Sequence, residues 1–209
     1  MNKKILMSST VLFVSLFLVS MIAGAAEAPA PSSRGFLLAR ALKAADWIVD
    51  HTTSDGTILD HNWNPVPLER LGEGGGVASN ICIEYMSALM GLASIYKAVP
   101  RQKYLKTAKL IADKIAPYAD ITQNPSLEPV PREWLLYGLS EAYTITGEYY
   151  DIIEEGLDAI KYEWLYGHAF FGYLNIGEPE AAEELINIGW ANPDDLYNHA
   201  RVAWAENNW

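Results

Sequence analysis

Gly91-Leu92-Ala93-Ser94-Ile95-Tyr96 and Gly138-Leu139-Ser140-Glu141-Ala142-Tyr143 share the pattern Gly-Leu-x-x-x-Tyr, and the second lies 47 residues after the first. Each closes an apolar stretch that ends at a breaker, Pro100 in one case and Gly147 in the other. In each case a short turn (Pro100 to Gln102; Gly147 and Glu148) leads into a more polar segment. Self-similarity at a fixed period marks a repeated supersecondary unit. The unit here is an apolar helix, a tight turn and an amphipathic helix, which is a helical hairpin.

Working outward from the repeat, the periodicity stays helical. From Ser79 to Tyr96, Ile81, Cys82, Ile83, Tyr85, Met86, Ala88, Leu89, Met90, Leu92, Ala93 and Ile95 leave almost no polar face, so protein should enclose this helix. Between Arg101 and Ala116, Tyr104, Leu105, Ala108, Ile111, Ala112 and Ile115 form one stripe, with Lys103, Lys106, Lys109, Asp113 and Lys114 on the rest. One side of that helix should face water. Trp134 to Thr146 is a second enclosed helix, with Pro131 in a tolerated first-turn position. Upstream, Phe36, Leu37, Ala41, Ala44, Ala45, Ile48 and Val49 fall on one stripe, opened by Ser32 or Ser33 as a cap. Downstream, a weaker third copy starts at Tyr166-Gly167, passes Tyr173 and turns at Gly177-Glu178-Pro179 into Ala181 to Ile188. Asn192-Pro193-Asp194-Asp195 has the form of a further helix start. Nothing alternates at period two, so the expected class is all-α. Thr52 to Ala78 and Tyr118 to Val130 are long connections, and both should emerge at the same end of the hairpins.

The composition excludes several functions. The chain has 209 residues, half of them hydrophobic, with 15 Lys+Arg against 26 Asp+Glu and a net charge of −11. No nucleic-acid partner is expected, because phosphate contacts need clustered cations. Docking on anionic lipid through a basic patch is disfavoured for the same reason. The single Cys82 cannot form an internal disulfide, and no histidine pair has zincin spacing, so neither a metal nor a cofactor is expected. Lys3 and Lys4, the apolar run Ile5 to Ile22 and the small residues Ala23-Gly24-Ala25-Ala26 form a signal-peptide pattern. Residues 1–25 are therefore read as a signal peptide or, if uncleaved, an N-terminal membrane anchor, with 26–33 as a linker and 34–209 as the helical-hairpin domain. Secretion or a cell-envelope location follows, with no membrane contact beyond that segment.

A family resemblance rests on these residues. Alternating enclosed and amphipathic helices, the turn Tyr143 to Gly147-Glu148-x-Tyr150, and Ala45-Asp46-Trp47-Ile48 followed by Asp55-Gly56-Thr57 resemble the (α/α) toroids over Phe36 to Ile160. These include six-hairpin glycosidases, polysaccharide lyases, uronyl epimerases and terpenoid cyclases. The sequence departs from them in lacking the aspartate-rich motif of the cyclases. Six hairpins at the observed period would also outrun the 209 residues of the chain. A small or incomplete toroid, one completed by a second copy as a homo-oligomer, or an open α-solenoid is expected instead.

The resemblance implies a substrate cleft where the long loops meet the starts of the enclosed helices, and carboxylates and aromatics gather there. Glycosidic cleavage needs one protonated and one ionised carboxyl group. Glu84 is the only carboxylate between Ser79 and Tyr96 on an otherwise apolar helix, so it must be paired, neutral, open to a cavity, or stabilised as an early-turn acid. Glu84, Asp60 and Glu133 are the catalytic candidates. Trp63, His61, Trp134 and Glu73 are the candidates for binding a saccharide, since indole faces stack on sugar rings. Glu141 and His168 are read as structural, and Gly72-Glu73-Gly74-Gly75-Gly76 as a hinge. Two functions remain open. One is an exported carbohydrate-active enzyme, a glycoside hydrolase, polysaccharide lyase or uronyl epimerase. The other is a non-catalytic helical-repeat binding protein, favoured by the likeness of Gly177-Glu178-Pro179-x-Ala181-Ala182 to tetratricopeptide hairpins.

Overall fold

The structure is a computed structural model that describes residues 31–163 and 167–190. The signal-peptide segment and the Asn192-Pro193 helix start lie outside the described residues, as does Trp209. Met1–Ala41 and Leu42–Trp209 are separate compact units. Helix α1 (Pro31–Asp50) begins in the first unit, where Phe36 is exposed and the Arg40 guanidinium lies 5.5 Å from its ring centroid.

The second unit is all-α, as the periodicity requires. Its helices are α2 (Gly75–Ala98), α3 (Gln102–Ala119), α4 (Pro129–Thr146), α5 (Tyr150–Ile160), α6 (His168–Ile176) and α7 (Pro179–Trp190). A 3-10 turn, Leu68–Glu73, precedes α2. Among the described residues the extended backbone is limited to two isolated bridges, Thr52 with Ile58 and Leu59 with Pro65. α2 packs on α3, α4 on α5, and α6 on α7, which gives three hairpins in succession, the third being the weaker sequence copy. Across hairpins, α2 packs on α4 and α4 on α6, while α3 meets α4 and α5 meets α6. The apolar helices thus adjoin one another, as their lack of a polar face demands. α2 is long and apolar enough to cross a bilayer by length and composition. Here its apolar residues pack against α3, α4 and the 3-10 turn, and Cys82, Tyr85, Leu89, Leu92 and Ala93 are fully buried.

The two repeat glycines serve different ends. A Cβ on Gly138 would sit 3.0 Å from Met86 Cα, so this glycine lets the α2 and α4 backbones approach closely, whereas at Gly91 the nearest atom is the Ile48 Cδ1 methyl at 3.5 Å. Gly138→Ala is therefore expected to cost about 1–2 kcal/mol through overpacking. Gly91→Ala should be neutral or slightly stabilising, because Ala is the better helix former. Urea denaturation of both variants checks the contrast.

The long connections are built against the helices. In the first, Ile58, Val66, Leu68 and Leu71 are buried. Tyr85 Oη donates to the Val66 carbonyl at 3.1 Å and accepts from the Ile58 amide at 3.4 Å, so one α2 side chain clamps both sides of the loop. Lys114 of α3 pairs with Asp55 at 2.8 Å. In the second, the buried Arg132 reaches back from α4 to the carbonyls of Ala119, Asn124 and Leu127 at 2.8, 2.6 and 3.2 Å. α1 is anchored at its end, where Asp46 accepts from Tyr104 Oη at 2.7 Å and pairs with Lys103 at 2.6 Å.

Candidate functional site

Asp60, His61 and Trp63 share one turn of the loop, and Glu84 stands on α2. Asp60 opens a tight turn in which its Oδ1 accepts from the Asn62 amide at 2.8 Å and the Asn64 amide at 2.9 Å, with Asn64 Nδ2 beside both carboxylate oxygens. Asp and Asn form such turns because a short polar side chain can bond the backbone two residues on. Burial raises the Asp60 carboxyl, but the Asn64 and Asn62 bonds outweigh it, and the net shift lies below the ordinary carboxylate value. Asp60 is therefore a held anion.

Glu84 has the opposite environment. α2 begins at Gly75, four residues earlier than the apolar run suggests, so Glu84 lies in the third turn. The dipole's positive end is felt mainly within the first turn. Burial raises its carboxyl, the negative charge of Asp60 raises it further, and His61 pulls it back, leaving it above the ordinary value. His61 Nε2 and Asn62 Nδ2 are 2.9 Å apart at the exposed rim.

Trp63 belongs to the same turn, its amide donating to the Asp60 carbonyl at 3.0 Å. Its backbone has φ of 63° and its side chain is 59% exposed, an unusual combination for a bulky apolar residue. What holds it is His51, whose ring stacks on Trp63 at a centroid distance of 4.0 Å and on Trp47 at 3.9 Å, with interplanar angles of 25° and 20°. His51 is only 6% exposed, and its Nδ1 lies 3.0 Å from the Trp47 carbonyl oxygen. The loop therefore returns to lay an indole on the end of α1. His51 and Trp47 were not among the residues selected from the sequence. Their four-residue spacing at a helix end, which brings side chains into register, was the available signal.

The other candidates have partners of their own. Glu73 forms a two-point ion pair with Arg70, both bonds at 2.7 Å, on the exposed 3-10 turn. Glu133 is fully buried and accepts from the Ala169 amide at 3.0 Å, which caps the start of α6 and makes it a fixed element of the α4/α6 contact. Trp134 meets His168 edge-on at 5.8 Å, and Tyr137 and Phe171 continue that aromatic cluster. Burial pulls His168 down to about 4, so it is neutral at physiological pH. Glu141 pairs with Lys97 at 3.6 Å and accepts from Asn175 Nδ2 at 3.1 Å, a structural role.

Between the loop and helices α2 and α3 lies a cavity of about 300 Å³ whose lining includes Asp55, Leu68, Glu69, Tyr85, Lys114 and Tyr118, but neither Asp60 nor Glu84. Of its charged groups, Asp55 and Lys114 pair with each other, and Glu69 is the third. Among the described residues no group of three or more His, Cys, Asp or Glu is placed to hold a metal ion. The groups that could carry chemistry are the Glu84 carboxyl, raised by burial, the Asp60 carboxylate, held ionised by amides, and the exposed Trp63 indole. Comparison with protein-family models, with curated proteins and with solved structures finds no match to this chain.

Proposed function

We propose that the protein is an exported saccharide-acting protein, and that Asp60, His61, Trp63 and Glu84 form its working site. The observation that carries this is the contrast between the Asp60 carboxylate, held ionised by the Asn62 and Asn64 amides, and the Glu84 carboxyl, raised by burial. Pairs pushed apart in this way divide the roles of proton donor and charged partner. In glycosidic cleavage Glu84 gives its proton to the leaving oxygen, while ionised Asp60 either activates a water or stabilises the developing positive charge on the sugar. Trp63 offers the ring face on which a sugar stacks. The N-terminal pattern of basic, apolar and small residues supports export. The succession of hairpins, with apolar helices side by side, supports a small or incomplete toroid, with an open solenoid as the alternative.

The test is hydrolysis of a panel of oligosaccharides by the wild type and by Glu84→Gln. Loss of a positioned acid costs about 10²–10⁴-fold in kcat, and binding should persist. Stability supplies a second readout. Glu84's raised value means that the folded chain holds a proton that the unfolded chain releases. The stability this brings is full below the ordinary carboxylate range and is lost as pH rises through the folded-state value. Gln mimics the neutral form, so the variant should be no less stable than wild type at pH 7. Inactivity together with unfolding would contradict this assignment.

A second reading, a helical-hairpin binding protein without catalysis, draws on the third hairpin, α6 with α7, built on Gly177-Glu178-Pro179. It predicts saccharide or peptide binding with no bond cleavage and no effect of Glu84→Gln on the bound ligand's fate.

A further inference from the structure

The charge and the ring stack of this site define the ligand more narrowly. The loop from Thr52 to Gly74 carries Asp55, Asp60, Glu69 and Glu73 against the single cation Arg70. Arg70 is neutralised by its two-point pairing with Glu73, and the neighbouring Lys114 by its pairing with Asp55. Asp60 keeps its charge because backbone amides hold it. In the same turn, Trp63 has one ring face on His51 and the rest of a 59% exposed side chain in solvent. An electron-rich indole face attracts cations through the ring quadrupole, and a fixed carboxylate in the same turn attracts them by direct pairing.

We infer that the saccharide taken by this site carries free amino groups, with a sugar ring on the outer face of Trp63 and an ammonium within reach of Asp60. The inference rests on the saccharide reading above. The Trp47, His51 and Trp63 stack fixes the platform before ligand arrives, so the ring meets a preformed surface and little ordering is lost on binding. A uronate chain meets the Asp60 carboxylate with like charge, which disfavours the lyase and epimerase branches among saccharide-acting enzymes.

The experiment is calorimetric titration of the wild-type protein with four oligomers of equal length: glucosamine, N-acetylglucosamine, glucose and galacturonate. The glucosamine oligomer should bind at least 10-fold more tightly than its N-acetylated form at low salt, and the advantage should shrink as salt is raised. Acetylation changes only the ligand, so the comparison does not depend on any variant folding. Asp60→Asn, which keeps an oxygen for the Asn62 and Asn64 amides, should remove the amine preference while leaving the melting temperature within a few degrees. Trp63→Ala should weaken all binding. Equal affinity for the amine and acetylated oligomers overturns this inference and leaves the saccharide reading standing, and so does tighter binding of galacturonate. No binding of any of the four overturns both.

Discussion

Gly56→Ala is expected to destabilise the fold by about 3 kcal/mol, the sum of a strained left-handed backbone and a collision. Gly56 has φ of +83°, and a Cβ there would lie 2.0 Å from the Leu110 carbonyl oxygen and 2.9 Å from Lys114 Cβ. The colliding group is helix backbone, so neither a rotamer change nor a small side-chain shift relieves it. The loop would have to lift from α3, breaking the Asp55 to Lys114 pair and disturbing the clamp by Tyr85. Gly147→Ala is the control. It has φ of +73° with open space around it, so only the backbone term of about 1 kcal/mol applies. Chemical denaturation should show a clear gap between the two. Equal losses would mean that the loop is not seated on α3 as described. Because the same loop carries Asp60 and Trp63, Gly56→Ala should also weaken ligand binding, and Gly147→Ala should leave it unchanged.

Arg132→Met is expected to cost about 3 kcal/mol or more. The guanidinium is buried without a carboxylate partner and is instead shared among three backbone carbonyls at the end of α3 and along the connection to α4. Burial draws it below the ordinary arginine value, with Asp120 pushing back. Met fills the space, but the Ala119, Asn124 and Leu127 carbonyls lose their donor, and each unsatisfied buried acceptor costs about 1–3 kcal/mol. Lys cannot fork to carbonyls from three residues, so Arg132→Lys should fall between Met and wild type. Protease nicking within residues 120–128 should accelerate in the same order. Wild-type resistance in Arg132→Met would show that the connection holds its shape without the arginine.

The hairpins were legible because a helix that turns its whole circumference to protein has no room for polar residues. That is visible in Ser79 to Tyr96 and in Trp134 to Thr146 before any coordinates. The third hairpin was legible from its turn, Gly177-Glu178-Pro179, in spite of an irregular interval. Helix ends were less so. α2 extends back to Gly75 because Gly74 and Gly75, both at positive φ, form the turn into it, and glycines carry no pattern to reveal this. The turn that carries Asp60, His61 and Trp63 was anticipated as a region only. It depends on how the 52–74 loop folds back, which is governed by the Tyr85 hydroxyl and by Gly56 against α3, contacts distant in sequence. Glu133 was legible as an acid near the start of an enclosed helix, whereas its bond to the Ala169 amide at the start of α6 was not. A buried acid opposite a helix start looks the same in sequence as a catalytic one, since the partner is a backbone amide and leaves no letter.

The placement of α4 sets the order in which backbone amides should exchange with deuterium. α4 lies against α2, α3, α5 and α6, whereas α7 lies against α6. Opening α7 disturbs α6 and the Glu184 bonds to Lys161 and Tyr162, while exposing the amides around Leu135 to Leu139 requires the surrounding helices to part together. Exchange in α7 should therefore proceed by local opening and be insensitive to low denaturant, while exchange in the middle of α4 should report the global unfolding free energy. The slowest-exchanging amides should mark the hairpin around which the others assemble.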